Sequence, residues 1–301
     1  DFVFQDEGGV WGSDDDTDIE YIYQHLLFTH QTTMLSAEQI RDGWLTHIYS
    51  EEQSPFGVAE DGKQENFLWV SNQRAHDLMR KEGLLPPETS HPDHNKEYEM
   101  IDAQLTTEIF GFFAPARPDI ALKMANLPIR TTARQNAEWA AEFYVVMYSL
   151  ASYVDETLPM KTQIQWMANT ARQRLPNDSY SAKMFDFVNA SYQSGAAWET
   201  VRDDLYEKYQ VNQEDGYDIS AQNRYCNGCF ASGINFAASI VSLLYGEGNL
   251  VETIKIAALA GWDSDNPAAT WGGLLGFMQG KLGVEQAFQR KFADKFNIHR
   301  T

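Results

Sequence analysis

Cysteine is nearly absent: two in 301 residues, set together as Cys226-Asn227-Gly228-Cys229. A redox or metal role is one reading of the pair, but no neighbouring Cys or His supplies the other ligands a zinc site needs. On a helix the two positions share a face, so they are expected to be packing residues. Positive charge is also scarce, with 23 Lys and Arg against 43 Asp and Glu and a net charge of −20. That balance excludes nucleic acid as a partner, because phosphate contacts are carried by Lys and Arg. Long apolar runs are missing. The longest, near Phe236 to Tyr245, is about half of a membrane span and is interrupted by Ser239 and Ser242. No secretory signal stands in the residues given. The chain is expected to be soluble, without a membrane partner; the compartment stays open, with the cytoplasm slightly favoured.

Strand alternation of useful length is absent too, and helical periodicity fills the space. Ser36-Ala37-Glu38-Gln39 is a capping box that opens a helix carrying Ile40, Trp44, Leu45 and Ile48. Further helices are expected near 66–81, 99–113, 134–154, 160–174, 180–194, 198–209, 223–245, 249–260, 267–280 and 283–296. The segment around 81–96, with Pro86, Pro87 and Pro92, reads as a surface loop in which His91 and His94 are solvated. At 43% hydrophobic residues the chain can build one sizeable core, and no domain boundary or repeat shows. Gly272, Gly276 and Gly280 recur every four residues. Each glycine inside a helix costs about 1 kcal/mol relative to alanine, so a neighbouring helix backbone is expected close to that stripe.

Two acidic clusters near opposite ends carry the chemistry. The first, Ser13-Asp14-Asp15-Asp16-Thr17-Asp18, runs into a helical segment; the second is Gly261-Trp262-Asp263-Ser264-Asp265-Asn266. One aspartate is an ordinary helix cap, and acids in a first turn suit the helix dipole. Three adjacent aspartates exceed that need, because each repels the next. Packing such groups beside apolar helices is costly unless a cation neutralises them. Brought together, the clusters would offer only hard oxygen ligands, which suit Mg²⁺, Mn²⁺ or Ca²⁺ and not Zn²⁺. Trp11, Trp262 and Trp271 flank the clusters, and Trp262 is the preferred ligand-contacting aromatic.

The flanks resemble the ADP-ribosylglycohydrolase family, the DraG-like ADP-ribosyl-acceptor hydrolases. That family carries a Thr-Asp-Asp-Thr/Ser motif entering a helix and a Gly-x-Asp-Thr-Asp-Thr motif followed by small residues and Gly-x-x-x-Gly. Here these read Asp14-Asp15-Asp16-Thr17, and Gly261 to Asn266 followed by Ala268-Ala269-Thr270-Trp271-Gly272-Gly273-Leu274-Leu275-Gly276. Phe110-Gly111-Phe112-Phe113-Ala114-Pro115 and Pro118 to Ala125 resemble a further family segment. The resemblance covers roughly residues 10 to 295. It implies an all-α fold, a single orthogonal helical bundle spanning 1–301, expected to lack the family's first helix and a C-terminal extension.

It also implies two Mg²⁺ or Mn²⁺ ions held by Asp14, Asp15, Asp16, Asp263, Asp265 and Asn266. The activity implied is hydrolysis of a ribosyl, ADP-ribosyl-like, glycosidic bond in a small-molecule or protein-linked substrate. Asp16 and Asp263 are the candidate catalytic carboxylates and Trp262 the substrate contact. The chain departs from the family at Asp14 and Asn266, where Thr is usual. It also has no upstream Gly-Asp-x-x-Gly helix with its glutamate, and no histidine from Ile129 to Arg134, where the family's Thr-His pair falls. Activity on ADP-ribosylated arginine is therefore expected to be weak or absent. Two alternatives stand beside this reading. One is a non-catalytic metal-binding relative of the same fold. The other is a terpene-synthase-like Mg²⁺ enzyme, whose second motif would begin at Asn177-Asp178.

Overall fold

The computed structural model describes residues 2, 4–48, 68–219 and 228–298. Asp14 caps the first helix, α1 (Asp15–His30), accepting the Thr17 amide at 2.9 Å. The capping box forms as expected: Ser36 accepts the Gln39 amide, the Gln39 side chain returns to Ser36, and α2 (Ala37–His47) follows. Then come α3 (Val70–Asp77), α4 (Asp102–Thr106), α5 (Phe110–Phe113), α6 (Pro118–Thr132), α7 (Gln135–Leu150), α8 (Met160–Ala171), α9 (Tyr180–Gln193) and α10 (Trp198–Leu205). The last three are α11 (Ser232–Gly246), α12 (Leu250–Ala260) and α13 (Asp265–Phe288). Among the described residues there is no sheet, only isolated bridges. The fold is all-α.

Helix α7 explains the arrangement. Ala137, Ala141 and Val145 repeat every four residues and join a core built on α1, α2 and α6. Ala140, Phe143, Tyr144 and Met147 lie on its other side in a second core with α8, α9, α11 and α13. A helix apolar all round belongs at the centre, and α7 is the wall between two cores. Polar pins fix it there. The Tyr144 hydroxyl meets Ser239 Oγ at 2.5 Å, and Trp271 Nε1 donates to the Ser239 carbonyl at 2.8 Å. These contacts bind α7, α11 and α13 into one block, which sets the N-terminus of α13 at the site.

Several expected elements come out differently. Residues 99–113 were expected as one helix but break between Thr106 and Phe110 into α4 and α5. Residues 118–132 form α6, where Pro118 opens the helix at its first turn and Pro128 is absorbed inside it. The glycine stripe does not meet a neighbouring backbone. A Cβ at Gly272 or Gly276 would reach only the Ile254 or Val284 side chain, at 3.7 Å. Gly280 instead takes φ +67° and kinks α13, a conformation that suits glycine. The helix expected to Phe296 therefore stops at Phe288, and the chain returns toward its start, pairing Asp6 with Phe292 and Trp11 with Phe296. Cys229 is disulfide-bonded, which overturns the expected pair of packing thiols; Cys226 lies outside the described residues.

The close backbone approach occurs elsewhere. A Cβ on Gly111 of α5 would fall 2.5 Å from the Val145 carbonyl oxygen and 2.6 Å from the Ser149 nitrogen of α7. Backbone atoms cannot rotate away, so Gly111→Ala should cost about 1–3 kcal/mol, the usual range for overpacking. At roughly 2–4 °C per kcal/mol for larger domains, melting should shift clearly downward. An unchanged midpoint would show that α5 is not seated on α7 as described.

Candidate active site

The first turn of α1 and the first turn of α13 meet at a cavity of about 270 Å³. Asp14, Asp15, Asp16, Asp263, Asp265 and Asn266 all line it, although some 250 positions separate the two groups. The helix ends facing these carboxylates carry partial positive charge, which offsets part of their repulsion. Ser13 and Asp18 brace the first cluster through a 2.6 Å hydrogen bond beneath it. Asp263 is held from the side: its amide donates to Asn235 Oδ1 at 3.1 Å, and Asn235 Nδ2 donates to the Cys229 carbonyl.

A third element completes the wall. Asp102, at the start of α4, lines the same cavity, is 3% exposed, and accepts the Asn72 amide on Oδ1 at 2.9 Å. The Ser71 hydroxyl and amide also donate toward this carboxyl. The stretch that positions Asp263 also positions Asp102, because the Phe230 carbonyl accepts the Ile101 amide at 2.9 Å. Opposite the acids, Trp69, Val70 and Phe230 form an apolar side.

A second cavity of about 220 Å³ shares Asp14, Asp16, Leu105 and Asn266 with the first. Glu20 and Glu108 lie in it, beside Phe112, Tyr148 and Thr270. Glu108 is 5% exposed; its Oε1 accepts the Thr270 hydroxyl at 3.3 Å, and its Oε2 has no partner.

No lysine, arginine or histidine lines either cavity among the described residues, and the electrostatics follow. Burial, reinforced by Asp15 and Asp14, pushes the Asp16 carboxyl well above the usual range. Burial and the neighbouring Asp265 raise Asp263 to about 7, and burial raises Asp102 to about 6. Glu20 is raised by burial and by Glu108, which burial itself raises to about 8. Acids this crowded must share protons or take up positive charge from outside.

The donor set is hard oxygen throughout, which fits Mg²⁺, Mn²⁺ or Ca²⁺, and Asp102 adds one more carboxylate to the wall. As they stand, no three or more His, Cys, Asp or Glu among the described residues are drawn together tightly enough to cage an ion.

Trp262 does not line the acid cavity. Trp262, at φ +57°, turns away from the acids into a separate groove beside Arg202 and Tyr206, where its indole N–H donates to Gln210 Oε1. Trp11 donates to the Ala293 carbonyl at 3.1 Å, and Trp271 is wholly buried. The aromatic at the cavity is Trp69, which no motif marked. Residues 129–134, where the resemblance places a substrate-holding pair, line neither cavity. They anchor the loop before α4: Thr89 donates to the Thr131 carbonyl at 2.7 Å, and Arg134 donates to the Pro87 carbonyl. Asn177 and Asp178 also lie outside both cavities, so the two-motif arrangement of a terpene synthase does not form. His91 Nδ1 accepts the Asp93 amide at 3.2 Å in an exposed loop.

Glu20, one helical turn after Asp16, could have been found from the four-residue spacing alone. Asp102, Glu108 and Trp69 carried no such signal.

Compared with known families, residues 2–299 match the family model described as ADP-ribosylglycohydrolase. No curated protein and no solved structure matches the chain significantly.

Proposed function

We propose that this chain, which belongs to the ADP-ribosylglycohydrolase family, is a divalent-metal-dependent hydrolase of a ribosyl glycosidic bond. Family membership implies a hydrolase acting on ADP-ribosyl linkages. The metal requirement and the roles of individual residues are our reading. One observation carries it: both acidic clusters and the buried Asp102 face a single cavity with no basic side chain among its described lining residues.

Asp14, Asp15, Asp16, Asp263, Asp265 and Asn266 are the residues that would hold two hard cations, Mg²⁺ or Mn²⁺. Bound there, such ions neutralise the carboxylates, orient sugar hydroxyls and make water more acidic. The protein's own part is to place and deprotonate the nucleophile. Water adds to the anomeric carbon while the bond to the leaving group breaks, and the water proton passes to Asp16 or Asp263. The leaving atom takes a proton from solvent as it departs, and the carboxyl later returns its proton to solvent. Asn235 keeps the Asp263 backbone fixed, so its carboxylate approaches the sugar from a constant direction.

Release of the sugar from ribosyl substrates, followed in millimolar Mn²⁺, tests the reading. Asp16→Asn and Asp263→Asn should each lower the rate at least ~100-fold, the lower end for a lost acid–base group. ADP-ribosyl-arginine should be turned over poorly, because residues 129–134 face a loop. Equal turnover by wild type and both variants would refute the catalytic assignment.

A further inference from the structure

Asp102 and Asp263 come from distant parts of the chain, and the segment 229–235 holds both. On one side it pairs with the start of α4. Ala231 and Met100 form an antiparallel bridge: the Ile101 amide donates to the Phe230 carbonyl at 2.9 Å, and the Ser232 amide donates to the Glu99 carbonyl at 2.9 Å. The Ser232 hydroxyl donates to Gln104 Oε1 at 2.9 Å, and both side chains are buried. Asp102 stands between Ile101 and Gln104 in the chain, so these bonds clamp the turn that carries it.

On the other side the segment ends at Asn235, which is 2% exposed. Its Oδ1 accepts the Asp263 amide at 3.1 Å, and its Nδ2 donates to the Ala231 carbonyl at 2.9 Å and to the Cys229 carbonyl. The side-chain amide fits only this way round, because the reverse would set its NH2 against the Asp263 N–H. The Asp263 loop needs that grip. Gly261 takes φ +98° and Trp262 takes φ +57°. Glycine tolerates such angles, but in Trp262 they bring Cβ close to its own backbone. A hydrogen bond at the next residue keeps the loop from relaxing out of that conformation.

We propose that Ser232 and Asn235 are positioning residues: through the segment 229–235 they hold the Asp102 and Asp263 walls in one fixed relation, and that relation sets how tightly the cavity takes up a divalent cation. The proposal rests on the metal-dependent reading and names residues that tune it from outside the cavity. Hard cations bind well where oxygens are held at the right spacing in advance. Residues that orient ligands from behind change metal affinity by roughly 10–100-fold when removed.

Amide hydrogen exchange on the full chain, in chelator, tests the clamp without any metal. Asn235→Leu, similar in size but unable to form hydrogen bonds, should speed exchange at Asp263 at least ~10-fold, and it should also speed exchange at Ile101 on the opposite wall. Ser232→Ala acts from the α4 side and should speed exchange at Asp263 at least ~3-fold. Asn235→Asp keeps an oxygen in place for the Asp263 amide and should retain most of its protection, which a variant that merely damaged the fold would not. Calorimetry with Mn²⁺ reads the consequence: affinity should fall at least ~10-fold in Asn235→Leu and at least ~3-fold in Ser232→Ala. Exchange changes confined in each variant to the wall that was altered would overturn the proposal. So would unchanged exchange at Asp263 in Asn235→Leu, or wild-type Mn²⁺ affinity in both variants. A wild-type protein that binds no Mn²⁺ would overturn the metal reading and the proposal with it, and that titration shows it before any variant is compared.

Discussion

Millimolar Mg²⁺ or Mn²⁺ should raise the melting temperature of this protein by several degrees over chelator, and Asp265→Ala should abolish most of that rise. A ligand that binds only the folded state stabilises it by RT ln(1 + [L]/Kd), about 2.7 kcal/mol at a hundred times Kd. At roughly 2–4 °C per kcal/mol, a single such ion moves the midpoint by about 5 °C or more. The sign in chelator distinguishes loss of a ligand from damage to the fold. Asp265 stands beside Asp263 and raises its cost of ionisation. Removing one of them should leave the metal-free protein as stable as wild type or more so. A variant that melts lower in chelator and still responds to metal would show that Asp265 is structural. Identical wild-type melting with and without metal would end the cation reading.

The sequence showed some parts of this site plainly and hid others, for identifiable physical reasons. Asp14 to Asp16 and Asp263 to Asn266 were visible because acids adjacent in sequence exceed what a helix cap requires, and both groups reach the cavity. The capping box at Ser36 is a local device and forms as written. Asp102 and Glu108 were hidden because each is a single acid in an apolar segment. They matter only after α4 and α5 break apart and the stretch before α11 pins Ile101 through the Phe230 carbonyl. Trp262 has ligand candidates as its neighbours in sequence, while the positive φ at Gly261 and Trp262 places its ring in a separate groove. The glycine stripe misled. Its four-residue spacing matches a helix crossing, but the kink at Gly280 turns the end of α13 back on itself, and Val284 covers Gly276. Long-range pairing decided each of these, and local pattern does not encode it.

That same long-range packing makes Glu108 the most pH-sensitive group to test. Its carboxyl is buried between α1 and α13 with one oxygen unpaired, and burial raises its proton affinity to a pKa of about 8, from an ordinary value of 4.5. A carboxyl whose folded-state pKa is raised stabilises the fold while protonated. The contribution is complete below the unfolded value and is lost as pH rises through the folded one. In chelator, the stability of wild type should therefore fall from about pH 5 to about pH 8, the window set by those two values. Glu108→Gln keeps the shape and the Thr270 contact but cannot ionise. It should flatten that slope and be more stable than wild type at pH 8, on the order of 2–4 kcal/mol, since each tenfold change in proton affinity is about 1.4 kcal/mol. Below pH 5 the two proteins should converge. Glu20 lies in the same cavity and is raised partly by Glu108, so Glu20→Gln should reproduce the effect in part, and the double variant should gain less than the sum. Denaturant melts across this range decide the matter. If Glu108→Gln is less stable at every pH with an unchanged slope, Glu108 is ionised in the folded state and something positive holds it there.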